Sequence, residues 1–165
     1  MMYGVFLLLG TNLGDKKSNL DEAFSHLSEL GTISNKSSIY ITPPWGKTDQ
    51  PEFYNQVLIL NTSLTAEVLL AEIMNIEKVM GRVRHEKWGE RLIDIDILYF
   101  EKQIISKDEL IVPHPGIPER KFTLIPLVEL APEFINPVTN KSNKEMLDEL
   151  HDQSVITKLT VHNSN

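Results

Sequence analysis

The run Leu92-Ile93-Asp94-Ile95-Asp96-Ile97-Leu98-Tyr99-Phe100 constrains this chain more than any other stretch. In an extended strand alternate side chains share a face, so Asp94 and Asp96 project together, roughly 6 to 7 Å apart, while Ile93, Ile95, Ile97 and Tyr99 face the other way. Two carboxylates are thereby held side by side on a ribbon that otherwise reads as core. Neighbouring like charges at low dielectric repel, and one must take up a proton unless a cation is bound between them. Mg²⁺ fits this donor set, because it takes one or two carboxylates and completes its shell with water and phosphate oxygens.

Immediately upstream, Gly81-Arg82-Val83-Arg84-His85-Glu86-Lys87-Trp88-Gly89-Glu90-Arg91 gathers four fixed cations, at Arg82, Arg84, Lys87 and Arg91. Carboxylates that bind metal, beside guanidinium forks that grip oxygen pairs, are what phosphoryl or pyrophosphoryl transfer requires. Taken alone, the acid pair also fits two water-facing aspartates next to a solvated charged loop. The phosphate reading rests on the two segments being contiguous.

Composition narrows the field. The 165 residues include 23 acidic and 16 basic side chains, for a formal net charge of −7, which argues against broad binding to a nucleic-acid backbone. An anionic substrate must then be met by a local basic cluster. Cysteine is absent, so neither a disulfide framework nor a thiolate metal site is available, which fits a reducing compartment. The apolar run Val5 to Leu9 is too short to span a membrane and ends in Gly10-Thr11-Asn12, as a buried strand does. The expectation is a cytoplasmic protein that binds neither nucleic acid nor membrane.

In chain order, a strand over residues 2–9 leads through Gly10-Thr11-Asn12-Leu13-Gly14-Asp15 into a helix with Leu20, Ala23, Phe24, Leu27 and Leu30 at helical spacing. Asp15 is its expected cap and Gly31 its stop. The turn is not a P-loop, which needs a second glycine followed directly by Lys and Ser or Thr. A second strand is expected over 33–41 and a third over 53–60, joined by a long loop through Thr42-Pro43-Pro44-Trp45-Gly46. Paired prolines fix φ and lack donors, making a rigid ledge of carbonyls suited to the edge of a flat heterocycle. The next helix, 65–80, carries Val68, Leu69, Ile73, Ile76 and Met80 on its apolar side, with Gly81 at its end. A hairpin at 101–106, an extended run at 110–115, a short helix at 119–130 and a last helix at 143–150 follow.

This order predicts an α+β fold, a ferredoxin-like βαββαβ sandwich: an antiparallel sheet, the first two helices packed together on one face, and a C-terminal helical extension. A single domain spans 1–160, with a polar tail at 161–165.

The segment Lys87-Trp88-Gly89-Glu90-Arg91-Leu92-Ile93-Asp94-Ile95-Asp96-Ile97-Leu98 resembles the 6-hydroxymethyl-7,8-dihydropterin pyrophosphokinase family of folate biosynthesis. The resemblance extends over nearly the whole chain. It implies pyrophosphate transfer from ATP to the dihydropterin hydroxymethyl group, with release of AMP, by an enzyme expected to be a monomer. It further implies that Asp94 and Asp96 hold two Mg²⁺ ions, that Asp96 helps remove the hydroxyl proton, and that Arg82 and Arg91 stabilise phosphate charge. Glu77, Arg84, Ile97, His114 and Arg120 are the implied ATP contacts. Thr42, Pro43, Trp45, Asn55 and Asp94 would read the pterin, Phe53 and Phe122 would sandwich it, and Trp88 would act as a lid.

Because the site must admit two ligands and then exclude water, the Arg82 to Arg91 segment is expected to move between open and closed forms. Met74, Glu109, Ile111 and Pro115 depart from the family pattern around the adenosine. The rival from another class is a non-catalytic ferredoxin-like module binding nucleotide or RNA on its sheet, which calls for aromatic platforms and a basic face.

Overall fold

In the computed structural model, residues 3–43, 51–81 and 92–160 are described. The apolar N-terminal run becomes β1, Tyr3–Thr11, buried continuously from Val5 onward. Consecutive buried residues require cover on both faces. β1 pairs antiparallel with β4 (Phe53–Thr62) on one side and β5 (Asp94–Phe100) on the other. Beyond β4 lie β2 (Thr32–Lys36) and β3 (Tyr40–Thr42), and β8 (Thr157–Lys158) pairs with β3 to close the order β5-β1-β4-β3-β8. A separate hairpin joins β6 (Ile105–Lys107) to β7 (Leu110–Val112), a few residues later than the sequence suggests.

The expected second strand is in fact two. Ser37 interrupts it: its hydroxyl accepts the Val57 N–H at 2.9 Å, and its carbonyl accepts from the Gln56 amide at 2.8 Å. A serine side chain can replace a rung of the ladder, and here it does so between β2 and β3.

α1 (Lys16–Ser28) starts where Asp15 accepts the Ser18 N–H, as expected. It ends before Gly31, whose lack of a side chain serves another purpose. A Cβ there would lie 2.2 Å from the Asn61 carbonyl oxygen, so β4 approaches as closely as backbone allows. Gly31→Ala is expected to cost about 1–3 kcal/mol of stability, read as a lower urea midpoint with an unchanged slope. A midpoint equal to wild type would show that the strand can retreat.

α2 (Ala66–Val79) is capped by Thr65, and Gly81 follows its end with φ +88°. Leu69, Ile73, Ile76 and Met80 form its buried stripe. Val68, expected on that side, is 45% exposed, because it sits one 100° step off the stripe.

The two faces of the sheet are covered by different helices. α1 and α2 pack on Val5, Leu7, Leu9, Leu58, Leu60, Ile93, Ile95 and Ile97. A short 3-10 turn (Ile117–Glu119), α3 (Lys121–Leu130) and α4 (Asn143–Glu149) cover the other face, over Phe6, Leu8, Val57, Leu98 and Tyr99.

Tyr99 is therefore not on the side that strict alternation assigns it. Phe6 pairs with Tyr99 but Leu7 with Ile97, so Leu98 is an extra residue in β5. Such a bulge resets the alternation and turns Tyr99 toward α4, where its hydroxyl donates to Asn143 Oδ1 at 2.7 Å.

Candidate active site

Pairing register builds the floor. Asp94 lies opposite Gly10, Gly10 opposite Asn55, and Asn55 opposite Tyr40. Directly opposed residues share a face, so these four form one row across the sheet. The row faces α3 and α4, because its neighbour two residues along runs through Leu8 and Val57, which belong to that core. Asp96, opposite Leu8, and Phe53, opposite Thr42, flank the row on the same side. With strands about 4.8 Å apart, Asp94 and Asn55 stand roughly 10 Å from each other across Gly10. That gap suits a small flat ring.

Gly10 keeps the gap open. A Cβ at this position would come within 2.9 Å of Asn55 Oδ1. Asn55 is 5% exposed and its amide donates to Thr42 Oγ1 at 3.1 Å, which fixes the orientation of the group. The role of Gly10 was not among the sequence expectations. The available signal was an isolated glycine inside a strand pattern, which often marks a close approach.

At the other end of the row stand the acids. Asp94 and Asp96 are both half-buried. The residue between them, Ile95, donates its N–H to Glu77 Oε2 at 2.9 Å, and Glu77 is itself 7% exposed. Glu77 thus acts as a strut from α2 onto the backbone that carries the acid pair, a function that its expected ATP contact did not anticipate. The Ile97 side chain is buried with α1 and α2, so it offers a nucleotide only its backbone.

His114 is tied on two sides. Its backbone N–H donates to the Leu98 carbonyl at 2.9 Å, and its Nδ1 accepts from the Gly116 N–H at 3.0 Å. An accepting Nδ1 leaves the proton on Nε2, available as a donor. Burial holds the imidazole below the ordinary histidine range; the charge of nearby Asp96 opposes this shift, and Arg120 adds to it. His114 is therefore neutral at neutral pH and close to both residues. The Arg120 guanidinium carbon lies 5.8 Å from the Phe122 ring centroid, and its Nε packs where a Gly116 Cβ would otherwise be, 2.7 Å away.

These placements bring Thr42, Phe53, Asn55, Asp94 and Asp96 together on one face of the sheet. His114, Arg120 and Phe122 are set around its α3 side, with Pro43 following β3. Arg82, Arg84, Trp88 and Arg91, with the expected movement of their loop, and Trp45 in the other loop, lie outside the described residues. Met74, Glu109, Ile111 and Pro115 are all exposed.

Among the described residues no group of three or more His, Asp or Glu side chains could enclose a metal. Two half-buried carboxylates on one side of a strand suit instead an ion that takes the rest of its shell from water and phosphate. Asp94 and Asp96 fit Mg²⁺ in that sense.

Residues 6–132 match the family model described as 7,8-dihydro-6-hydroxymethylpterin-pyrophosphokinase (HPPK). The chain belongs to the HPPK family. A 2-amino-4-hydroxy-6-hydroxymethyldihydropteridine pyrophosphokinase of Methylorubrum extorquens is 43% identical over 81% of this chain and 86% of its own. The enzyme of the same name from Aquifex aeolicus is 40% identical over 90% of this chain and 92% of its own. A folic acid synthesis protein, fol1 of Pneumocystis carinii, is 37% identical, and this chain spans 20% of its length.

Among solved structures, Plasmodium falciparum HPPK-DHPS with pteroate superposes with a TM-score of 0.74 at 20% identity, over 90% of this chain and 42% of that one. That likeness concerns the fold alone: an antiparallel sheet with helices, arranged as in an HPPK domain. The family expectation drawn from Lys87 to Leu98 therefore holds, as does the α+β class.

Proposed function

We infer that this HPPK family member transfers pyrophosphate from ATP to the hydroxymethyl group of 6-hydroxymethyl-7,8-dihydropterin, releasing AMP, in folate biosynthesis. The observation that carries the reading is the single row Asp94–Gly10–Asn55: a carboxylate beside Asp96 at one end, a buried amide at the other, and a cleared floor between. Phosphate chemistry and ring recognition meet there.

In the reaction, the hydroxymethyl oxygen attacks the β-phosphorus. The bond from that phosphorus to the oxygen bridging it to the α-phosphorus breaks, and AMP leaves with the bridging oxygen. Asp96 takes the hydroxyl proton. Two magnesium ions held by Asp94 and Asp96 would, when bound, neutralise the phosphate charge and align the triphosphate.

The remaining work is done by side chains. Asn55, with the backbone of Thr42, Pro43 and Trp45, orients the heterocycle, and Asp94 faces it from the other side. Phe53 and Phe122 hold its two faces by offset stacking. His114 donates from Nε2 to a phosphate oxygen, while Arg84 and Arg120 grip others and Glu77 keeps β5 in place. Arg82 and Arg91 match the growing negative charge, and Trp88 covers the ring.

The same reading takes the sheet as a ferredoxin-like βαββαβ unit with a C-terminal helical extension. It makes residues 1–160 one domain with a short tail, active as a monomer in the cytoplasm. No helix among the described residues is long and apolar enough to cross a membrane. The rival module is disfavoured because it calls for a basic face, whereas the chain has a formal net charge of −7 and sets a pair of aspartates on the sheet.

The test is AMP release. It is expected only when dihydropterin, ATP and Mg²⁺ are all present, and to vanish on chelation by EDTA. AMP formation that ignores the pterin, or release of ADP in its place, would sink this reading.

A further inference from the structure

Phe122 and Glu129 lie on the same side of α3, about two turns and roughly 10 Å apart. Phe122, in the first turn, is the pterin wall named above. Glu129, near the other end, reaches across to the strand opposite. Its Oε1 accepts the Tyr40 hydroxyl at 2.7 Å and the Ser38 N–H at 3.0 Å. Its Oε2 accepts the Ser38 hydroxyl at 2.9 Å and shares the Ser38 N–H at 3.2 Å.

The strand held this way is the one that carries the pterin ledge. Tyr40 pairs with Asn55, and Thr42, two residues on, receives the Asn55 amide. β3 is short: three residues long, it begins after the Ser37 break, pairs with β4 on its inner side and, among the described residues, is bordered outside by the two residues of β8. The carboxylate therefore fastens the wall-bearing helix to the ledge-bearing strand at one end, while the heterocycle would sit between them at the other.

We propose that Glu129 is a positioning residue for the pterin: by tying α3 to Ser38 and Tyr40 it sets the width between Phe122 and the Thr42–Pro43 ledge, without touching either substrate. This rests on the pterin site assigned under Proposed function. The ionisation of the pair supports it. Partial loss of solvent works against the Glu129 charge, yet bonds from Tyr40 and Ser38, with the Lys158 cation, hold its carboxyl below the ordinary range. Burial, together with the Glu129 bond and charge, pushes Tyr40 up to about 12. At neutral pH the donor keeps its proton and the acceptor its charge.

The tie is local. Leu124 and Leu127, both fully buried, dock α3 independently of it, whereas Glu129 is exposed. Its loss should loosen spacing rather than release the helix.

The experiment is calorimetric titration of the full chain with 6-hydroxymethylpterin, in the presence of Mg²⁺ and a non-hydrolysable ATP analogue, and with the analogue alone. Glu129→Ala is expected to weaken pterin binding roughly tenfold, as loss of a hydrogen-bonded tie allows, with analogue binding unchanged. Glu129→Gln should recover most of it, since one oxygen still accepts from Tyr40 and the Ser38 N–H while the amide donates to the Ser38 hydroxyl. Tyr40→Phe should fall between, and serves if the alanine variant does not fold.

Wild-type pterin affinity in Glu129→Ala would overturn the proposal. So would an equal loss for both ligands, which would mark a merely structural residue. Asn55→Ala serves as the control: if it too leaves pterin binding intact, the site assignment fails, whereas if it alone weakens binding, only the role of Glu129 does.

Discussion

Replacing Asp96 by alanine is expected to lower turnover by on the order of 10³-fold or more, because several kcal/mol of charge stabilisation are lost and each 1.4 kcal/mol is a factor of ten. Folding should be nearly unaffected. Asp96 is half-buried, and its partner on β1 is Leu8, so its removal opens no hydrogen-bonded ladder and leaves one like charge fewer beside Asp94. Pterin affinity should also persist, since Asn55 and the aromatic walls stand at the other end of the row. The measurement is AMP release at saturating substrates, alongside a melting curve. Turnover at the wild-type rate would remove both the metal pair and the proton acceptor from the mechanism at once.

Asn55→Ala is expected to act on the other half of the site. The amide is 5% exposed and held by Thr42, so truncation deletes an oriented donor and acceptor and leaves the Thr42 hydroxyl without that bond. A buried polar contact of this kind is worth about 1–3 kcal/mol, which predicts pterin binding weaker by roughly 10- to 100-fold. Binding of an ATP analogue should change little, because the acid end of the row is untouched. Titration of each ligand separately measures the split. Equal weakening of both would show that Asn55 acts through the fold and does not contact the ring.

These two residues also show what could be learned without coordinates. That Asp94 and Asp96 share a face follows from the period of a strand, and the structure agrees. The helices around Leu20, Ala23 and Leu27 and around Leu69, Ile73 and Ile76 were legible for the same reason, and Asp15 announced its cap. What the acids face was another matter. Their alignment with Asn55 is a property of pairing register, which depends on contacts between β1, β4 and β5 and leaves no periodic trace in any one strand. For Asn55, Phe53 and Phe122, resemblance to a family supplied the expected roles, and the register puts Asn55 and Phe53 on the face that carries the acids.

The misses have local causes. Ser37 breaks an apparently continuous strand because its hydroxyl stands in for a backbone group. β8 is held by two rungs of main-chain bonding and has no side-chain pattern to read. Gly31 looked like a helix stop because glycine usually is one there, whereas its neighbour turned out to be the Asn61 carbonyl. Glu77 and Glu129 could each pass for surface carboxylates until their oxygens were seen to accept distant main-chain N–H groups, of Ile95 on β5 and of Ser38 just before β3.

The supernumerary Leu98 has a bearing on how far this ribbon can be altered. It lets one strand obey two masters: ahead of it the carboxylates are aimed at the reaction, and behind it a phenol is moored to the last helix. Removing a single residue at that point would force a choice between the two, with either the acids or the tyrosine rotated half a turn away. At this position the number of residues matters more than their identity.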